Sequence, residues 1–147
     1  HLPLISVALR EIVPVFTGKI LSRLRNLDGF NSPDFYQKIA KRADQIVLMT
    51  YENSIKKHWI YEYFVSLETL WGTRFLFDTQ VLIGLPTYDA ASLSFYPEAE
   101  NIETGLRGLI RGLNNWRSKK DVFSGVALYR FGTTDESEWK IYQELWR

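Results

Sequence analysis

Residues 46–52 read Ile46-Val47-Leu48-Met49-Thr50-Tyr51-Glu52. The stretch begins as a buried strand and ends in a phenol and a carboxylate. Apolar residues fall on both faces of it, the mark of a parallel strand sandwiched between layers. The predicted strand covers 44–51. Similar short apolar runs occur at 4–9, 80–85 and 122–129.

Helical patterns separate these runs. After Pro14 and Gly18, one passes through Ile20, Leu21 and Leu24. A second starts at Ser32-Pro33-Asp34, where Ser suits the N-cap and Pro the first helical position. Phe35, Tyr36 and Ile39 then share a face. A long helical segment covers 54–77, with a break expected near Gly72. Another covers 97–116, where Ile102, Leu106, Leu109 and Leu113 keep helical spacing. Gly105, Gly108 and Gly112 lie inside it and are expected to let it pack closely on the sheet. Thr133 and Glu136 form a capping box, followed by Trp139, Tyr142 and Trp146 as a buried stripe.

The result is β-α-β-α-β-α-β-α with short turns, and no linker, low-complexity stretch or repeat divides residues 1–147. Such alternation predicts an α/β fold with four consecutive βα units and parallel strands. Two architectures fit it: an open doubly wound sheet, or half of an eight-unit (β/α)8 TIM barrel. The turn after the first strand, ALREIVPVFTG, has no glycine-rich phosphate cradle.

Composition narrows the function. Hydrophobic residues make up 46% and charged residues 24%, as in a globular chain. Lys+Arg number 18 against 17 Asp+Glu, with no basic run, so nothing favours nucleic acid. No apolar segment reaches the ~18–20 residues of a membrane span. The absence of cysteine excludes disulfides, thiolate metal sites and a Cys nucleophile. His58 has no second histidine at ligand spacing, and no serine sits in a GxSxG elbow; no metal or cofactor is expected. Aromatic residues reach 15%, with five Trp and eight Tyr. Trp59, Trp71, Trp116, Trp139 and Trp146 lie in helical segments and are expected to be core or interlayer residues.

Ligands of parallel α/β folds bind at the C-terminal strand ends. There the sequence places Arg10, Met49-Thr50-Tyr51-Glu52, Tyr88-Asp89 and Tyr129. Val47, Met49 and Tyr51 share one face by alternation, as do Gly125, Ala127 and Tyr129. In a regular strand Glu52 faces away from Tyr51. A rim of phenols and carboxylates suits a neutral polyhydroxylated ligand: rings stack on sugar faces and acids accept from hydroxyls. For Arg10 an ordinary salt bridge is the simpler reading.

These motifs resemble the second half of the family 18 glycoside hydrolase barrel, the chitinase-like fold. Its sixth strand reads roughly Asp-x-[apolar]-x-x-Met-x-Tyr-Asp, matched by Asp44 to Glu52. Its seventh reads roughly Gly-[Leu/Val]-Pro-x-Tyr-Gly, matched by Gly84-Leu85-Pro86-Thr87-Tyr88-Asp89. Its eighth reads roughly Gly-[apolar]-[apolar]-x-Trp, matched by Gly125-Val126-Ala127-Leu128-Tyr129. The resemblance implies strands five to eight of a divergent barrel, and an extracytoplasmic setting. It implies that Tyr51 contacts the sugar's N-acetyl group, while Glu52, Met49, Tyr88, Asp89, Tyr129 and Arg10 line the sugar-binding mouth. Glu52 stands where the family has Asp, Asp89 where it has Gly, and Tyr129 where it has Trp. The family's Asp-x-x-Asp-x-Asp-x-Glu acid motif is absent, so the general acid is expected upstream of His1. Two function classes stay open: a hydrolase completed by a missing half, or a barrel that binds a glycan or partner without cleaving it. An unrelated α/β-barrel enzyme is a third, with Arg10 at the centre of an anionic substrate site. Half a barrel also leaves two edge strands open to the missing half or to self-association.

Overall fold

The computed structural model describes residues 4–12, 33–88 and 92–146. Four parallel strands, β1 (Ser6–Leu9), β2 (Gln45–Met49), β3 (Gln80–Pro86) and β4 (Phe123–Tyr129), form one sheet in the order β1-β2-β3-β4. Between and after them come α1 (Pro33–Ala40), α2 (His58–Phe75), α3 (Ile102–Leu113) and α4 (Glu136–Trp146). The expected α/β class and parallel sheet are therefore present. The helical pattern through Ile20, Leu21 and Leu24 lies outside the described residues, as does Asp89.

Strand order decides how the layers fall. Right-handed crossovers that always advance to the next strand put every helix on the same side. Burial follows that rule. Ile46, Leu48, Val81, Ile83 and Leu85 point into the helix layer and are fully buried. On the other face Val47, Met49 and Leu82 are half-buried and Ala8 is exposed. One face of the sheet is thus core, and the other has no layer over it among the described residues.

Register links the strands on that open face. Ala8 pairs with Val47, Val47 with Leu82 and Met49 with Gly84. Leu82 then pairs with Gly125, Gly84 with Ala127 and Pro86 with Tyr129. One irregularity matters. Val81 pairs with Phe123 but Leu82 with Gly125, so Ser124 is an extra residue, a bulge. The bulge reverses the alternation of β4. Phe123 faces the helices, where its ring meets Trp146 edge-on at 5.7 Å, while Gly125, Ala127 and Tyr129 face the open side. Gly125 has φ +144°, which side-chain-bearing residues rarely adopt.

Helix boundaries differ from expectation where glycine or threonine chemistry was misread. α2 runs unbroken through Gly72. That glycine is there for close approach: a Cβ on it would lie 2.6 Å from Leu48 Cδ1. Gly105 packs on the sheet through Leu85, but Gly108 and Gly112 press on the neighbouring helix, against Glu62 O and Ser66 O. α3 starts only at Ile102, because Asn101 Oδ1 accepts the Thr104 amide at 3.0 Å and caps it there. The last capping box is Asp135 with Glu138: Glu138 N donates to Asp135 Oδ1 at 2.8 Å and Asp135 N to Glu138 Oε2 at 3.1 Å. Thr133 is not the cap because its hydroxyl donates to Thr87 O at 2.9 Å. No residue of α4 is fully buried; Tyr142 and Trp146 are half-buried against the core. Trp59 and Trp116 are 62% and 84% exposed, so these two are surface residues rather than core.

Candidate functional site

Tyr51 owes its position to the residues on either side of it. β2 ends at Met49, and Thr50 is fully buried with both its amide and its hydroxyl directed to Gly84 O, at 3.2 and 2.9 Å. This double hold carries the alternation one step past the strand, so Tyr51 follows Met49 onto the open face. Its ring lies over Gly84, where a Cβ would come within 3.3 Å of Tyr51 Cε1.

Glu52 does not face away from Tyr51. Its φ is +60°, as is that of Ser54, so the chain leaves the strand geometry there. The turn brings the carboxylate to the same side as Tyr51, where Glu52 Oε1 accepts the Tyr88 hydroxyl at 3.1 Å. The turn itself is held from below. Glu100, fully buried, accepts the Ile55 amide at 2.8 Å and the Asn53 amide at 3.2 Å, and Ser54 N donates to Ser94 O at 2.8 Å.

Three tyrosines from the ends of β2, β3 and β4 converge. Tyr51 and Tyr129 stack with planes 1° apart and centroids 4.7 Å apart. Tyr88 meets Tyr129 edge-on at 5.6 Å and stacks on Phe95 at 4.2 Å. The loop after β4 is fastened to the loop after β3: Thr87 N donates to Tyr129 O at 2.6 Å, and Thr134 Oγ1 to Thr87 Oγ1 at 2.8 Å. The Tyr129–Arg130 peptide is cis.

A cavity of about 350 Å³ opens beside this cluster, lined by Arg10, Glu11, Met49, Tyr51, Glu52 and Tyr129. The structure thus brings together six of the seven predicted rim residues. Tyr88 stands behind Glu52, and Asp89 lies outside the described residues. Arg10 Nε is 3.6 Å from Glu11 Oε2, an exposed salt bridge.

Burial and neighbouring groups hold the Tyr51 and Tyr88 phenols in their neutral form. Burial, with Tyr129 and Glu52 alongside, pushes the Tyr51 hydroxyl up to about 12. Tyr88 is raised by burial first and by Glu52 second. Burial also raises Glu100, against the opposing pull of the amides it accepts. Among the described residues no group of His, Asp and Glu is arranged to hold a metal. The cavity can therefore offer ring faces, phenol donors and carboxylate acceptors.

Sequence reasoning missed Glu100, Glu11 and Phe95. Glu100 stands in Pro97-Glu98-Ala99-Glu100-Asn101, which reads as an ordinary helix start; nothing local marks the loop it holds. Glu11 was legible as the neighbour of Arg10.

No protein-family model, characterised protein or solved structure matches the chain. The chemistry of the site is accordingly argued from its own residues.

Proposed function

We propose that the chain forms half of an eight-unit βα barrel of family 18 glycoside hydrolase type and supplies the sugar-binding side of its mouth. The observation that carries this reading is the convergence of Tyr51, Tyr88, Tyr129 and Glu52 at the C-terminal end of one parallel sheet whose strands follow in chain order. Monotonic order with helices on one face suits a closing barrel rather than a doubly wound sheet, where the order reverses. The ligand is a neutral sugar ring that uses an aromatic face and hydroxyl bonds to Glu52.

The chain's own role is binding. Acid-assisted glycoside cleavage needs a protonated carboxyl facing the glycosidic oxygen. Glu100 is raised toward its acid form, yet its oxygens are occupied by the Asn53 and Ile55 amides behind the loop. Among the described residues the two carboxylates at the cavity are Glu11, which is paired with Arg10, and Glu52, which already accepts Tyr88. No carboxylate at the cavity among the described residues is free to act as the general acid, so this reading assigns that acid to the remainder of the barrel.

Titration of isotope-labelled protein with N-acetylglucosamine oligomers tests this. Shifts confined to Tyr51, Glu52 and Tyr129 and lost in Tyr129→Ala are expected, without turnover of a fluorogenic N-acetylglucosaminide. Shifts scattered over the surface, or none at millimolar sugar, sink the reading.

A further inference from the structure

The sheet ends at β1 on one side and β4 on the other, with no strand beyond either among the described residues. Beside the β1 edge lies an apolar groove of about 330 Å³, lined chiefly by Ile5, Val7, Phe35 and Ile39, with Lys38 and Arg42 at its rim. Neither cation forms an ion pair among the described residues. At the opposite end, α4 carries Glu136, Glu138 and Glu144 against the single Lys140 and rests on α3 with no residue fully buried.

These two ends match one another. α2 shows how a helix of this chain packs across its own strand and the next. Gly72 of α2 bears on both Leu48 of β2 and Val81 of β3. By the same geometry α4, which follows β4, should lie over β4 and whatever strand adjoins it. The groove next to β1 is the seat such a helix needs: apolar floor, basic rim, and an edge strand parallel to β4.

We propose that the groove and the two sheet edges form an interface for a second copy of this chain, joined head to tail. β4 of one copy pairs with β1 of the other, and α4 of the first occupies the groove of the second. Two identical joints about a twofold axis close a ring of strands. Closure removes both open edges and turns the half-buried Val47, Met49 and Leu82 inward. The proposal concerns assembly and stands or falls separately from the sugar reading.

Sedimentation of the full chain over a wide concentration range reads the assembly directly, and cysteine placement reads its polarity. The chain has no cysteine of its own. Ser6→Cys on β1 and Ser124→Cys on β4 are both at exposed positions. Treated with a short bis-maleimide, a mixture of the two variants is expected to cross-link to a dimer, while each variant alone is not. Lys38→Glu with Arg42→Glu is expected to raise the dimer dissociation constant roughly tenfold or more, and adding Glu136→Lys with Glu144→Lys to restore it. A monomer at all concentrations, cross-linking of either variant alone, or a ladder of larger multiples overturns the proposal.

Discussion

Tyr51 and Tyr129, from the ends of β2 and β4, lie parallel within 1° at a centroid separation of 4.7 Å, across a gap that β3 fills with Gly84. The glycine is what lets the two rings meet. In Gly84→Ala the added methyl would sit 3.3 Å from Tyr51 Cε1 and 3.2 Å from Leu48 O. The ring side can yield but the carbonyl side cannot. A loss of about 1–3 kcal/mol is expected from overpacking, read by chemical denaturation, with Tyr51 ring shifts seen by NMR. Unchanged Tyr51 resonances would show that the ring does not rest where the contact places it.

Tyr129→Ala removes the stack and the edge contact to Tyr88 together. Aromatic pairs contribute about 0.5–1.5 kcal/mol beyond area burial. Tyr129 is 38% exposed, so a stability loss near the low end is expected, alongside a complete loss of sugar-induced shifts. A large loss of stability with retained sugar binding would make Tyr129 structural.

The Tyr88 phenol ionises late because burial and Glu52 both oppose its charge. Glu52→Gln removes the second cause and leaves the first. The Tyr88 titration, followed by its ring carbon shift, should move down toward 10.0 without reaching it. No movement would mean that the Glu52–Tyr88 hydrogen bond is not populated.

Glu68 is fully buried in α2, with Oε2 accepting the Ile12 amide at 2.7 Å and Oε1 unpaired. Burial raises it well above 4.5, against the opposing Ile12 amide. The folded state therefore holds a proton there that the unfolded state releases above that pH. Linkage fixes the sign: the stabilisation is present below about 4.5 and is lost as pH rises through the folded value. Denaturation midpoints should fall with rising pH in that window, and Glu68→Gln should flatten the slope. A wild-type slope that survives in Glu68→Gln would assign the effect to Glu100 instead.

Much of this fold was legible because period and order are local properties of a chain. The strands around Val47, Ile83 and Val126 announced themselves by apolar residues on both faces, and Tyr51 by its even spacing from Met49. What failed to show was long-range. Gly72 read as a break in its helix and Gly112 as packing on the sheet, because nothing adjacent in sequence reveals Leu48 or Thr69 pressing on them. The side of Glu52 was misjudged because alternation holds only while φ stays extended, and its φ of +60° depends on amides that Glu100 accepts from 45 and 47 residues away. Thr133 lost its cap role to a partner in the preceding loop for the same reason.

Gly125→Ala separates conformational cost from crowding. Nothing lies within 4 Å of a Cβ there, so the whole penalty comes from φ +144°. A destabilisation of about 1–3 kcal/mol is expected. Gly108→Ala should destabilise at least as much by steric conflict with Glu62 O and Val65. A neutral Gly125→Ala would mean that β4 relaxes to an unbulged register.

That bulge makes β4 a strand read in two phases. Up to Phe123 the odd-numbered positions belong to the helix layer, and from Gly125 onward they belong to the open side. The phase of the last five residues, and hence which chemistry reaches the rim, hangs on the bulge that holds Ser124 out of the ladder rather than on any property of Tyr129. Drawing Ser124 into a regular ladder would exchange the faces of everything after it: Val126 and Leu128 would turn out of the core as Tyr129 turned into it. A chain without Ser124 would run straight from Phe123 against Val81 to Gly125 against Leu82 and would build the same mouth. One-residue insertions near the base of a strand, when absorbed as bulges, thus leave what such sheets present at their tips unchanged.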